Sequence, residues 1–310
     1  MNTDKPGVGL DPCQSSQIRG ESTLISLIQL GTVDYATGLR LQQQLVALRK
    51  EERIGDVLLL LEHKPVITLG RNAKAANIIA SPELLAQRGV EVFECDRGGD
   101  VTFHGPGQIV GYPIFDLRGF ARGAADAPSG LRKTLGVVEF VRRLEEVLIR
   151  TCADFAIATK RVPGLTGVWT EARSGDAHVG TAASAVQRSE ASTPGHRPEA
   201  KLAAIGIHIS RSVTSHGFAL NVNTDLSYFN LIIPCGITSK PVTSMQRALG
   251  KPLDLNAVAE SISRNFGTVF SSQMLWVETV DALLGRTVGV PMKPPTELRQ
   301  LRKEDDVTWA

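Results

Sequence analysis

The stretch from Arg97 to Leu117, RGGDVTFHGPGQIVGYPIFDL, restricts what this chain can fold into more than any other. Gly98-Gly99 and Gly105-Pro106-Gly107 are poor material for a packed core strand. The residues between them therefore form a short strand held between two turns. Val101 and Phe103 alternate with polar neighbours as one face of a strand does, and His104 stands where the chain must turn. Paired glycines let backbone approach a neighbour with no side chain to hold it off. Gly-Pro-Gly alone is also what an ordinary hairpin loop contains. The company of Arg97 and His104 is what points to a site.

The rest of the chain reads as short strands joined by turns, with helices between groups of them. An apolar strand over residues 24–30 precedes an amphipathic helix over 35–51, in which Leu41, Leu45 and Leu48 share a face and Asp34 is the cap. Val57 to Leu61 form a buried strand, and residues 66–70 follow as its partner across the turn at Lys64-Pro65. Ser81 opens a short helix, and a longer one runs over 129–155 with Ser129 as its cap. Strands are expected at 166–169, 202–209 and 218–222, and a last clear helix at 255–270. The architecture implied is an α/β fold of the α+β kind, a mixed, largely antiparallel sheet with packed helices. No G-x-G-x-x-G follows any expected strand, which removes the usual dinucleotide reading.

Three departures from this pattern divide the chain. Residues 1–20 are polar with Gly and Pro and read as a flexible arm. Residues 171–200, rich in Ala, Ser, Gly, Thr and Pro, read as a disordered insertion inside a domain spanning 21–271. Residues 272–310 are Pro-rich and charged and read as a C-terminal appendage. A net charge of +2 gives no bulk electrostatic reason to bind nucleic acid. No apolar run is long enough to span a membrane. The N-terminus carries no secretory pattern, so the expected location is the cytoplasm. Cys13, Cys95, Cys152 and Cys235 are scattered with no C-x-x-C pair, which argues against a zinc cluster or a disulfide framework.

One of those thiols stands in a special setting. Pro234 and Gly236 hold Cys235 at a bend outside regular pairing. Lys201 begins an apolar strand directly after the insertion. Each alone has a bland explanation: a buried structural Cys and a solvated Lys at a strand edge. Together, an ammonium beside the thiol would lower its pKa from about 8.5, or the desolvated neutral amine could take its proton. His104 and His216 each adjoin Gly and could serve as bases in a Cys–His hydrolase, or merely satisfy turn carbonyls.

Taken together, these motifs resemble the lipoyl(octanoyl) transferase family. The likeness rests on Arg97 to Gln108 with Tyr112, on Gly167-Val168-Trp169, on Lys201 to Gly206, on His216 to Asn223 and on Pro234-Cys235-Gly236, in the family's order. The resemblance implies the architecture of biotin and lipoate protein ligases and an acyl transfer that needs no cofactor. The donor implied is octanoyl-acyl carrier protein. The acceptors implied are lipoyl domains of 2-oxoacid dehydrogenases and the glycine cleavage H protein. The family's catalytic pair falls on Cys235, the acyl-thioester nucleophile, and Lys201. Its acyl-binding residues fall on Arg97, Gly98, Gly99, Asp100, Val101, Thr102, Phe103 and His104, on Ala204, Ile205 and Gly206, and on Gly217, Phe218 and Ala219. In this scheme the glycine-rich wall offers N–H groups to an oxyanion, and side chains near Ile205 and Phe218 line an alkyl channel. The rivals are an ATP-dependent lipoate or biotin ligase on the same fold, a scaffold that binds acylated carriers, and the hydrolase.

Overall fold

The computed structural model describes residues 23–120, 134–171, 199–236 and 240–285, with backbone alone for Cys235 and 306–309. The expected N-terminal arm, nearly all of the expected insertion and the candidate cap Ser129 lie outside the described residues. Strand β1 (Leu24–Val33) leads into helix α1 (Tyr35–Lys50), then β2 (Asp56–His63), β3 (Val66–Leu69), α2 (Pro82–Gln87), β4 (Glu91–Glu94), β5 (Val101–His104) and β6 (Gln108–Ile114). Helix α3 (Val137–Asp154) precedes β7 (Thr159–Val162), β8 (Leu165–Thr170), β9 (Lys201–Ser210) and β10 (Val213–Asn221). The chain continues through α4 (Met245–Leu249), α5 (Leu255–Phe270), β11 (Gln273–Trp276), α6 (Val280–Leu283) and β12 (Asp306–Trp309).

The described strands make two sheets. The large one runs β11-β1-β2-β6-β10-β9-β8-β7, with β12 on the distal half of β9. Only β1 pairs in parallel, with β2 and β11; the other neighbours are antiparallel. The small sheet runs β4-β3-β5. Mixed, largely antiparallel pairing with packed helices is the expected architecture. Among the described residues no helix is long and apolar enough to cross a membrane.

Three local expectations need correction. Residues 66–69 do not pair with β2, because β1 and β6 already occupy both of its edges. Beyond Pro65 they cross into the small sheet, between β4 and β5. The long helix starts at Val137 with Gly136 at its cap, well past Ser129. Gln273–Trp276, placed by sequence in the appendage, adds a strand to the edge of the large sheet beside β1.

Local chemistry explains the other helix starts. Asp34 accepts the Thr37 N–H at the head of α1, and Ser81 accepts the Leu84 N–H at the head of α2, with Pro82 in the first turn. Helices α3 and α5 cover one face of the large sheet, where Phe140, Leu144, Leu148, Ile262 and Phe266 pack against Ile205, Ile207, Phe218 and Leu220. Helix α1 covers part of the other face, where Leu45 meets Leu59, Val110 and Tyr112.

Candidate functional site

Between the sheets lies a cavity of about 230 Å³. Its base is the uncovered stretch of β9 and β10, where Ala204, Gly206, Gly217 and Ala219 leave a trough. The loop Arg97–Asp100 forms one wall, with Thr102 and His104 of β5 beside it. Gly164, Leu165 and Thr166 form another, and Tyr35, Val110 and Tyr112 stand toward α1. Lys201, at the start of β9, completes the lining.

The glycine loop is laced down from both sides. The buried Arg97 guanidinium donates to the Thr68 carbonyl at 2.7 Å, to the Thr68 hydroxyl at 2.9 Å and to the carbonyls of Gly98 and Asp100 at 2.9 and 2.6 Å. Arg97 therefore shapes the wall from within. The Gly98 N–H donates to the Ile207 carbonyl at 3.1 Å, so this donor is already engaged. A Cβ on Gly70 would sit 2.3 Å from the Gly99 oxygen, so this crossing requires glycine.

Strand alternation sorts the predicted binding residues. Thr102 and His104 line the cavity, while Val101 and Phe103 turn away to pack with Ile67, Leu85, Phe229 and Ile232. Ile205 and Phe218 border the cavity, but their side chains belong to the helix-covered face, where the Phe218 ring stacks on Phe266 with centroids 6.1 Å apart. The apolar side chains that face the cavity are those of the strand neighbours Ala204 and Ala219, with Val110, Tyr35 and Tyr112.

Lys201 is 9% exposed. Its backbone is fixed on two sides, since its N–H donates to the Pro241 carbonyl and its carbonyl accepts the Thr243 N–H. Its Nζ lies 5.1 Å from the centre of the Trp169 ring, which covers it on that side. Gly167 comes close from β8: at φ +120, its absent Cβ would lie 3.1 Å from Lys201 Cε.

The Pro234–Gly236 turn is tied to the same region. The Ile233 N–H donates to the Asn77 carbonyl at 2.7 Å, and the Asn77 amide donates to Asp100 Oδ2 at 2.5 Å. Gly236 stands at φ +66, where a Cβ would meet Asp100 Oδ2 at 2.9 Å. A small pocket lined by Lys201, Pro234 and Val242 shares Thr102, Ala204 and Ala219 with the main cavity.

The imidazoles around the cavity are kept neutral or paired. Burial, joined by the charges of His63, Arg97 and His216, pushes His104 down to about 3. Gln108 donates its amide to Phe103 O and Asn221 Oδ1, so its oxygen accepts from His104 Nδ1 at 2.7 Å. Burial brings His63 to about 4. His63 Nδ1–H donates to the Val33 carbonyl at 2.9 Å, leaving Nε2 to accept the Tyr112 hydroxyl at 2.6 Å. His216 has φ +55, which interrupts the alternation of β10 and brings its ring to Asp96, at 2.6 Å. Burial alone would raise Asp96, but the hydrogen bond and charge of His216 and the charge of His208 hold it below the usual carboxylate range.

Sequence reasoning assigned no binding role to Tyr35, Val110, Tyr112, His216 or residues 164–166. Their signal is tertiary, because four separate parts of the chain deliver them: α1, β6, β10 and the start of β8. Tyr112 and His216 do stand in the motifs that carry the family resemblance.

The catalytic-domain model of lipoyl protein ligases A and B matches residues 34–267. An octanoyltransferase of Koribacter versatilis is 55% identical over 282 residues, covering 91% of this chain and 98% of that protein. An octanoyltransferase of Acidobacterium capsulatum is 52% identical over 264 residues, covering 84% and 96%. Among solved structures, a bipartite lipoate protein ligase of Thermoplasma acidophilum superposes with a TM-score of 0.56 at 13% identity, over 85% of this chain and 91% of that one. At that identity the likeness is one of fold.

Proposed function

The chain belongs to the family of lipoyl protein ligase A/B catalytic domains, and from that premise we propose that it moves an octanoyl group from a thioester donor, through Cys235, to a lysine of a lipoyl domain. The donor is octanoyl-acyl carrier protein, and the acceptors are lipoyl domains of 2-oxoacid dehydrogenases and the glycine cleavage H protein. One observation carries most of the weight: a nearly buried lysine lines an apolar trough shared, through a small adjoining pocket, with the turn that bears Cys235. The octanoyltransferase relatives supply the acyl group.

In the first half-reaction Lys201 Nζ, as the amine, takes the Cys235 thiol proton. The thiolate then attacks the donor carbonyl. The donor's carbon–sulfur bond breaks, and its thiolate leaves with the proton returned from Lys201. One thioester has replaced another, so the step is close to balanced. In the second half the acceptor amine attacks the acyl-Cys235 carbonyl and gives a proton to Lys201, which passes it to the departing Cys235 sulfur. An amide replaces a thioester, and this drives the sequence forward. The alkyl chain lies in the trough, where each buried methylene contributes about 0.8 kcal/mol. Arg97, Gly98, Gly99 and Asp100 shape its wall, Thr102 and His104 its side, and Ala204, Gly206, Gly217 and Ala219 its base. Val101, Phe103, Ile205 and Phe218 support these residues from behind.

The test is incubation with octanoyl-carrier protein and a lipoyl domain, without ATP, followed by intact-mass measurement. The expected products are an octanoyl adduct on the enzyme, absent from Cys235→Ala, and an octanoylated acceptor. An acceptor that stays unmodified overturns the transfer reading. Release of free octanoate in its place would indicate a hydrolase.

A further inference from the structure

Behind the cavity wall, helix α3 carries a fully buried carboxylate that the proposed transfer does not use. Glu145 has 0% side-chain exposure. One oxygen accepts the Gly167 N–H at 3.1 Å. The other accepts Arg142 Nη1 at 2.7 Å and Arg161 Nε at 3.1 Å. Its three partners are all donors, so a carboxylate suits the position and an amide would not. Whichever way a Gln side chain turned, its NH2 would face another donor.

The Gly167 N–H is no ordinary strand donor. Gly167 has φ +120, a conformation open to glycine. It sits beside an irregularity in the β8–β9 pairing, where Val168 faces Ala203 and Trp169 faces Lys201. Through this kink Gly167 comes against Lys201 Cε while the Trp169 ring lies beside Nζ. Gly164, Leu165 and Thr166, just before it, line the cavity. The hydrogen bond from the Gly167 N–H to Glu145 thus fixes a residue that lies against the Lys201 side chain.

We propose that Glu145 is a positioning residue for Lys201: from α3 it anchors the Gly167 kink and so holds the lysine amine at the cavity. The inference rests on the proposed transfer for its catalytic consequence, but not for its geometry. Glu145 touches no substrate and moves no proton. Its removal costs placement, and misplacement by about 1 Å is enough to cost a hundredfold in rate.

The experiment compares Glu145→Gln, Gly167→Ala and Arg161→Met with the wild-type protein by two readouts. The first is the rate at which trinitrobenzenesulfonate labels Lys201, followed by peptide mass spectrometry. The second is the steady-state rate of octanoyl transfer. Glu145→Gln and Gly167→Ala should each label Lys201 several-fold faster. Each should lower kcat by about tenfold or more while leaving KM for the octanoyl donor within about twofold. Arg161→Met removes an arginine from the same carboxylate but leaves the Gly167 bond, so it should lower Tm without changing either readout. Wild-type labelling and kcat in a folded Glu145→Gln overturn the proposal, as does an Arg161→Met that behaves like it. If Glu145→Gln does not fold, Glu145→Asp, which keeps the charge but is one methylene too short to reach the Gly167 N–H, decides by the same criteria. A wild-type protein that transfers no octanoyl group refutes the proposed function instead, and the labelling rates still decide the anchoring.

Discussion

Phe218 and Ala219 are neighbours in sequence and opposites in the fold. Phe218 lies on the face of the large sheet covered by α3 and α5, stacked on Phe266 and overlying Gly111, whose absent Cβ would lie 2.1 Å from the ring. Ala219 lies on the other face, beside Ala204, and borders open space. One face is filled by large side chains to the density of a core, and the other is kept empty by small ones. The same two strands are thereby rigid on one side and receptive on the other. A cavity of this kind needs a stiff back, because side chains that are too small to fill a space cannot hold it open.

The largest expected effect comes from emptying the filled face. Phe218→Ala should lower unfolding free energy by about 3–5 kcal/mol, read by urea denaturation, and should lower transfer per folded molecule far less than filling the empty face does. Filling the empty face is the mirror experiment. Ala219→Phe should leave the urea midpoint nearly unchanged and lower octanoyl transfer by about a hundredfold, measured by mass of the acceptor. If the two substitutions exchanged their effects, the division of labour between the faces would be wrong.

The smallest effect is on pH dependence, which belongs to the cavity side. Among the described residues, His63 and His104 have pKa values lowered from 6.5 to about 4 and about 3, first by burial. Below about 6.5 the unfolded chain takes up protons that the folded chain refuses. The stability from these neutral rings is therefore complete above that pH and declines as the pH falls toward the folded values. His63→Gln keeps an acceptor for Tyr112 and removes one titration. Urea midpoints between neutral and mildly acid pH should fall less steeply for this variant.

Much of the fold was legible in the chain. Helices α1 and α5, the caps at Asp34 and Ser81, and strands β2, β5, β8 and β9 follow from periodicity and punctuation. The partner of β3 was not legible, since nothing in residues 66–69 marks a second sheet and they read as the partner of β2. Which edges of β2 remain free depends on β1 and β6, distant in sequence. The site shows the same split. The glycine loop, Lys201 and the turn around Cys235 were marked by residue type. Tyr35, Val110 and residues 164–166 were not, because apolar and small residues carry no sign of which cavity they line.

By itself the sequence determined where backbone comes close and where reactive groups stand, since glycine spacing and rare residue types act locally and survive any packing. Only the tertiary structure decided which face of each strand meets solvent-accessible space and which carboxylate braces Gly167 beside the lysine. Those outcomes depend on what lies across a sheet or under a helix, and a linear pattern does not carry the identity of a partner many residues away.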